Sequence, residues 1–138
     1  MLHLSFNQYD VGDAATLDAV FEKLEKDRSD AFLVPADPFL VSQRNRIAEF
    51  AIKNKLPSVY TFREHVEAGG LIAYTPNYHD LFRRAAGYVD KILKGTKPGD
   101  LPIEQPRKFD LVINLKTAAA LGLAMPVILQ MTADEVIE

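Results

Sequence analysis

Apolar runs of strand length alternate with amphipathic stretches of helical period at least four times along this 138-residue chain, with short connections between them. That alternation predicts an α/β fold: a doubly wound, mainly parallel sheet with right-handed crossovers and flanking helices. The apolar runs fall at residues 31–34, 58–62, 71–74 and 109–114, with another at 2–6. Ala31-Phe32-Leu33-Val34 holds no polar side chain, as expected of a strand covered on both faces. Leu17, Val20, Phe21 and Leu24 set an i, i+3, i+4, i+7 face over 14–28, and Asp13 is placed to cap its start. Asp37 is placed to cap a second helix over 38–54, with Pro38 at N1, where a missing N–H costs nothing. Residues 63–70 read as a polar connection ending in a glycine pair.

The stretch 69–95 concentrates these signals. A turn leads into a short strand ending at Tyr74, then a loop (Thr75-Pro76-Asn77-Tyr78-His79), then a long helix over 78–94. Leu81, Ala85, Val89 and Ile92 share one face of that helix. Asn77 sits at the N-cap, Asp80 in the first turn and Gly95 at C′. Beyond it the texture changes. Pro98, Pro102 and Pro106 mark 96–108 as an extended segment without regular ladder pairing, of the kind that crosses a surface or joins two bodies. A fifth strand over 109–114, a short helix over 115–121 closed by Gly122 and a last turn from Pro126 complete the chain.

Several function classes lose support at this level. A net charge of −3 leaves no electrostatic footprint for nucleic acid. With no cysteine there are no disulfides, thiolate metal sites or cysteine nucleophiles. His3, His65 and His79 are scattered, without the spacing of a zinc site, so no metal is expected. There is no GxGxxG, no P-loop and no GxSxG elbow, so neither a nucleotide cofactor nor an acyl-transfer serine is supported. No apolar run reaches membrane-spanning length, and residues 1–10 lack the basic and apolar regions of an export signal. By length the chain is one domain.

A sheet of this type receives ligands outside the carboxyl ends of its strands. The side chains expected there are Pro35, Asp37, Phe62, Glu64, Tyr74, Asn77 and Tyr78. A carboxylate among them would hold an ammonium, the aromatics would supply walls, and a helix N-terminus at Asn77 would receive a carboxylate, which suits an amino acid or similar small zwitterion. Plain structural roles fit the same residues: Asp37 as a cap, Glu64 as a solvated charge, Phe62 and Tyr74 as core, Tyr78 as surface. An acid/base pair of Asp37 and Glu64 is the least supported reading, and no catalytic residue is expected.

Several stretches resemble the ABC-transporter substrate-binding proteins of type I periplasmic-binding-protein fold, the group that includes tryptophan- and tyrosine-type binders. They are DAFLVPADP at 30–38, FRE at 62–64 with EAGGL at 67–71, DLFRRAAGYVDKILKG at 80–95, LPIEQP at 101–106, FDLVINLKTA at 109–118 and ADEVIE at 133–138. The resemblance spans essentially the whole chain and corresponds to the second half of such a protein. It implies a solute-binding role rather than catalysis, delivery to an ABC permease, no cofactor and a periplasmic location, although without an export signal the cytoplasm stays open. By position it puts Pro35 and Asp37 on the cleft loop, Glu64 after the next strand, and Tyr74, Asn77 and Tyr78 on the hinge-side loop. Without a first lobe, the helix over 78–94 and the strand over 109–114 are expected to lack their partners, which predicts dimerisation, a swapped arrangement or instability. The alternative is a stand-alone, non-catalytic α/β module that pairs with itself or a partner through that orphaned face.

Overall fold

The computed structural model describes residues 4–138. Its elements, in chain order, are α1 (Ala14–Lys26), β1 (Phe32–Val34), α2 (Pro38–Ser42), α3 (Arg44–Lys53), β2 (Ser58–Tyr60), α4 (Arg63–Glu67), β3 (Ile72–Pro76), α5 (Tyr78–Leu93), a 3₁₀ turn (Pro98–Asp100), β4 (Phe109–Asn114), α6 (Leu115–Leu121), α7 (Val127–Thr132) and β5 (Glu135–Ile137). The strands form one five-stranded sheet in the order β1-β2-β3-β4-β5. β1, β2 and β3 run parallel, β4 runs against β3, and β5 runs parallel to β4. The α/β class and the mainly parallel sheet are those the sequence predicts. Strand order follows chain order without reversal, and one antiparallel pairing interrupts the parallel run.

Register divides the sheet into two faces. Val34, Tyr60, Ala73 and Val112 align across β1 to β4 and pack beneath Leu17 of α1, Leu40 of α2, Ile47 of α3 and Val66 of α4. This is the main core. Phe21 of α1 stacks on Phe50 of α3 with ring centroids 4.2 Å apart, which locks the outer helices together. The row one residue over, Leu33, Val59 and Ile72, turns to the opposite face. There a smaller cluster of Leu71, Ala118 and Leu121 covers Ile72, while Leu33 and Tyr74 stay 61% and 55% exposed.

The caps form as the sequence dictates. Asp13 accepts from Thr16 N at 2.8 Å, and Thr16 Oγ1 closes a capping box by accepting from Asp13 N at 3.0 Å. Asp37 accepts from Leu40 N with Pro38 at N1. Gly95 and Gly122 hold positive φ angles of 100° and 74° past the ends of α5 and α6.

Five expectations change. Residues 4–6 carry no strand, and the remainder of that run, residues 2 and 3, lies outside the described residues. The helix over 38–54 breaks at Gln43, whose φ of −96° and ψ of 8° separate α2 from α3. The supposed polar connection after β2 contains α4, because burying His65 and Val66 rewards one helical turn among polar neighbours. β3 continues to Pro76, which pairs with Phe109 at the end of the ladder. Most consequentially, β4 has not lost its partners: it lies between β3 and β5, hydrogen-bonded on both sides. The helix is another matter, for α5 has no buried residue. Arg84 donates to the Gln105 carbonyl and pairs with Glu104, and Tyr88 donates to the Pro102 carbonyl at 2.6 Å, so the proline-rich return lies against α5.

Candidate functional site

Because β1, β2 and β3 are parallel, their carboxyl ends share one edge of the sheet. β4, running the other way, brings Phe109 and Asp110 to that same edge opposite Pro76 and Thr75, and β5 begins there at Glu135. Thr61 fastens the edge: its N–H and its Oγ1–H both donate to the Val34 carbonyl, at 3.3 and 3.2 Å. Arg63 bridges α4 and β5, reaching Glu67 at 2.9 Å and Glu135 at 2.7 Å.

At this edge Pro35 is exposed immediately after β1, and half-buried Asp37 gives one carboxylate oxygen to Leu40 N at 3.0 Å. Phe62, extended at φ −121° and ψ 135°, leads into α4 and stacks on Tyr78 with centroids 5.9 Å apart and planes 19° from parallel. Two residues from separate loops thus form one aromatic surface. Glu64 stands exposed in the first turn of α4 and lines a shallow groove with Arg44, Asn45 and Glu67. Asn77 caps α5 by accepting from Asp80 N at 2.8 Å, while its Nδ2 donates to both oxygens of Asp110 at 2.9 and 3.0 Å. Lys108 reaches Asp80 at 3.3 Å. The α5 N-terminus is therefore already served by its own cap and by carboxylates, which weighs against a ligand carboxylate settling there.

Tyr74 stands apart. It sits inside β3 rather than in the following loop, and its ring stacks on Phe109 at 5.1 Å. Thus Phe62 and Tyr78 come together, Asp37, Glu64 and Asn77 lie along the same edge, and Tyr74 belongs to the opposite-face row of the sheet. Phe109 and Asp110 are participants that the sequence reading missed; their partners, Tyr74 and Asn77, lie 33 or more positions away. Among the described residues no group of three or more acidic or histidine side chains could hold a metal ion. No helix among them is long and apolar enough to cross a membrane.

Sheets whose parallel strands end along one edge receive ligands there. The chain belongs to the ABC transporter substrate binding protein family, whose model matches residues 2–137. It is similar to a tyrosine-binding protein of Clostridioides difficile, 28% identical over 94 residues, which make up 68% of this chain and 27% of that protein. Among solved structures it is similar to the ABC domain in complex with L-Trp from Streptococcus pneumoniae. That match has 30% identity and a TM-score of 0.76, over 90% of this chain and 40% of that one. It is also similar to a conserved domain protein from Vibrio cholerae, at 25% identity and a TM-score of 0.79, over 88% of this chain and 41% of that one. The chain therefore spans well under half the length of these relatives. Members of the family bind solutes rather than transform them.

Proposed function

We propose that this chain provides one wall of an amino-acid-binding cleft in a substrate-binding protein, and that the amino acid carries an aromatic side chain. The observation that carries this reading is the Phe62–Tyr78 stack at the edge where the parallel strands end. A ligand ring would lie against that pair, and its ammonium would face the free carboxylate oxygen of Asp37 or the exposed carboxylate of Glu64. The names of two relatives, a tyrosine-binding protein and a complex with L-Trp, agree with an aromatic ligand. Delivery of the solute to an ABC permease, and a location outside the cytoplasm, follow from the family as parts of the same proposal.

The test is an amide NMR titration of the chain with L-tryptophan, L-tyrosine and L-leucine. The aromatic amino acids should move the amide resonances of residues 36, 37, 62–64 and 78, and leucine should not. Phe62→Ala should weaken L-tryptophan binding by roughly tenfold, the loss of one aromatic contact worth about 1.4 kcal/mol. Shifts confined to other regions, or equal shifts with leucine, would overturn the aromatic assignment.

A further inference from the structure

His65 is fully buried, and neither ring nitrogen has a hydrogen-bond partner. A buried imidazole without partners is uncommon and calls for a reason. Its ring stacks on Tyr60 of β2 with centroids 4.7 Å apart and planes 14° from parallel. It stands one residue after Glu64 and three after Phe62, in the single turn that carries both. It also lies beside the Leu40 and Phe62 carbonyls, outside hydrogen-bond geometry. Leu40 is the residue whose N–H Asp37 caps. One imidazole therefore touches both candidate loops, Asp37 with α2 and Phe62 with α4.

We propose that His65 is a positioning residue that holds α2 and α4 in the ligand-receiving arrangement only while its imidazole is neutral, so that mild acid loosens this edge of the sheet. Burial opposes an imidazolium more strongly than the neighbouring Leu40 and Phe62 carbonyls favour one. Tyr60 faces it with a phenol pushed up to about 12 by burial, so this neighbour stays uncharged. Arg44 of α3 disfavours a second positive charge, and Glu64 on its own helix favours one. β3 and β4 turn Ala73 and Val112 to this side, Asn114 donates to the Val66 carbonyl at 3.2 Å, and Asp110, farther along β4 on this face, is held by Asn77. Burial outweighs the rest and lowers the His65 pKa below its ordinary 6.5. The folded chain then binds fewer protons than the unfolded chain. The associated stability is complete above pH 6.5 and is lost as the pH falls from there to the lowered folded-state value.

The effect on ligand affinity rests on the proposed aromatic amino-acid site; the coupling of the two loops does not. The experiment therefore has two arms. In the ligand-free chain, histidine-ring and amide NMR are followed from pH 7.5 down to 5. The amides of Leu40, Phe62 and Glu64 should move with the midpoint of the His65 ring, below 6.5. Amides that stay still while His65 titrates overturn the proposal without any use of ligand. In the second arm L-tryptophan affinity is measured at pH 7.5 and 5.5. Affinity of the natural chain should fall between pH 7.5 and 5.5, by at most about tenfold since that range reaches only one unit below 6.5, and His65→Phe, which keeps a ring on Tyr60, should stay flat. Equal weakening in both chains overturns the proposal. Should His65→Phe not fold, His65→Gln replaces it. If L-tryptophan fails to bind even at pH 7.5, the ligand assignment falls and the amide arm alone decides the coupling.

Discussion

Gly70 shows how tightly the site's supporting layer is built. A Cβ placed there would lie 2.4 Å from Tyr60 Cε2 and 2.8 Å from the His65 carbonyl oxygen, so the glycine makes room for the ring against which His65 stacks. The Tyr60 ring also meets Phe32, edge-on at 6.3 Å. Overpacking of this kind costs typically 1–3 kcal/mol. Gly70→Ala should therefore lower the urea midpoint by that equivalent and broaden the His65 ring resonance. Gly12→Ala, where a Cβ meets nothing within 4 Å, should leave both unchanged. Equal behaviour of the two variants would mean that the Tyr60–His65 stack yields easily, and the close packing at this layer would lose its meaning.

Among the elements, α5 depends most on its ends. With no buried residue it lacks the tertiary support that carries most helices, so the Asn77 cap is a large share of what holds its first turns. Asp110 fixes the Asn77 amide by accepting from Nδ2 at both carboxylate oxygens, leaving Asn77 Oδ1 for Asp80 N. Asn77→Ala, at about 1 kcal/mol for a lost cap, should speed amide exchange through the first two turns of α5 while leaving α3 protected. Unchanged exchange in α5 would show that the Lys108–Asp80 pair and the return segment suffice. Caps of this kind were legible in the sequence because their chemistry is local: Asp13, Asp37, Asn77 and Gly95 are all where spacing put them. Elements settled by distant partners were not. α4 has five residues, too few for periodicity to show, and becomes a helix only because β2, β3 and β4 bury His65 and Val66. The antiparallel course of β4 leaves no local mark, since strand composition is the same in either direction. The candidate site divides likewise. Asp37 and Asn77 could be placed from their own neighbourhoods, whereas the joining of Phe62 to Tyr78, and of Tyr74 to Phe109 instead, depends on which strands are neighbours.

At the scale of the whole molecule, the described residues leave several apolar surfaces in water, and two of them come from the central sheet and the longest helix. One is the sheet face bearing Leu33, Val59 and the Tyr74–Phe109 stack. The other is α5, with Phe82 74% and Leu93 82% exposed and Val89 and Ile92 beside them. A soluble monomer seldom shows more than a few hundred Å² of contiguous apolar surface, so at least one of these should be covered when the chain is studied by itself. α5 is the stronger candidate. Its apolar side chains lie along one straight helix, whereas the sheet face is already part-covered through Ile72. Light scattering across a dilution series should therefore show concentration-dependent self-association. Phe82→Asp with Leu93→Asp should return the chain to monomer without lowering its melting temperature, because neither side chain contributes to the core. Leu33→Lys, which marks the sheet face, should leave association intact. If Leu33→Lys alone dissolves the complex, the sheet face is the contact. A monomer at every concentration would show instead that both surfaces stay wet, and the expectation of a pairing face would have to be given up.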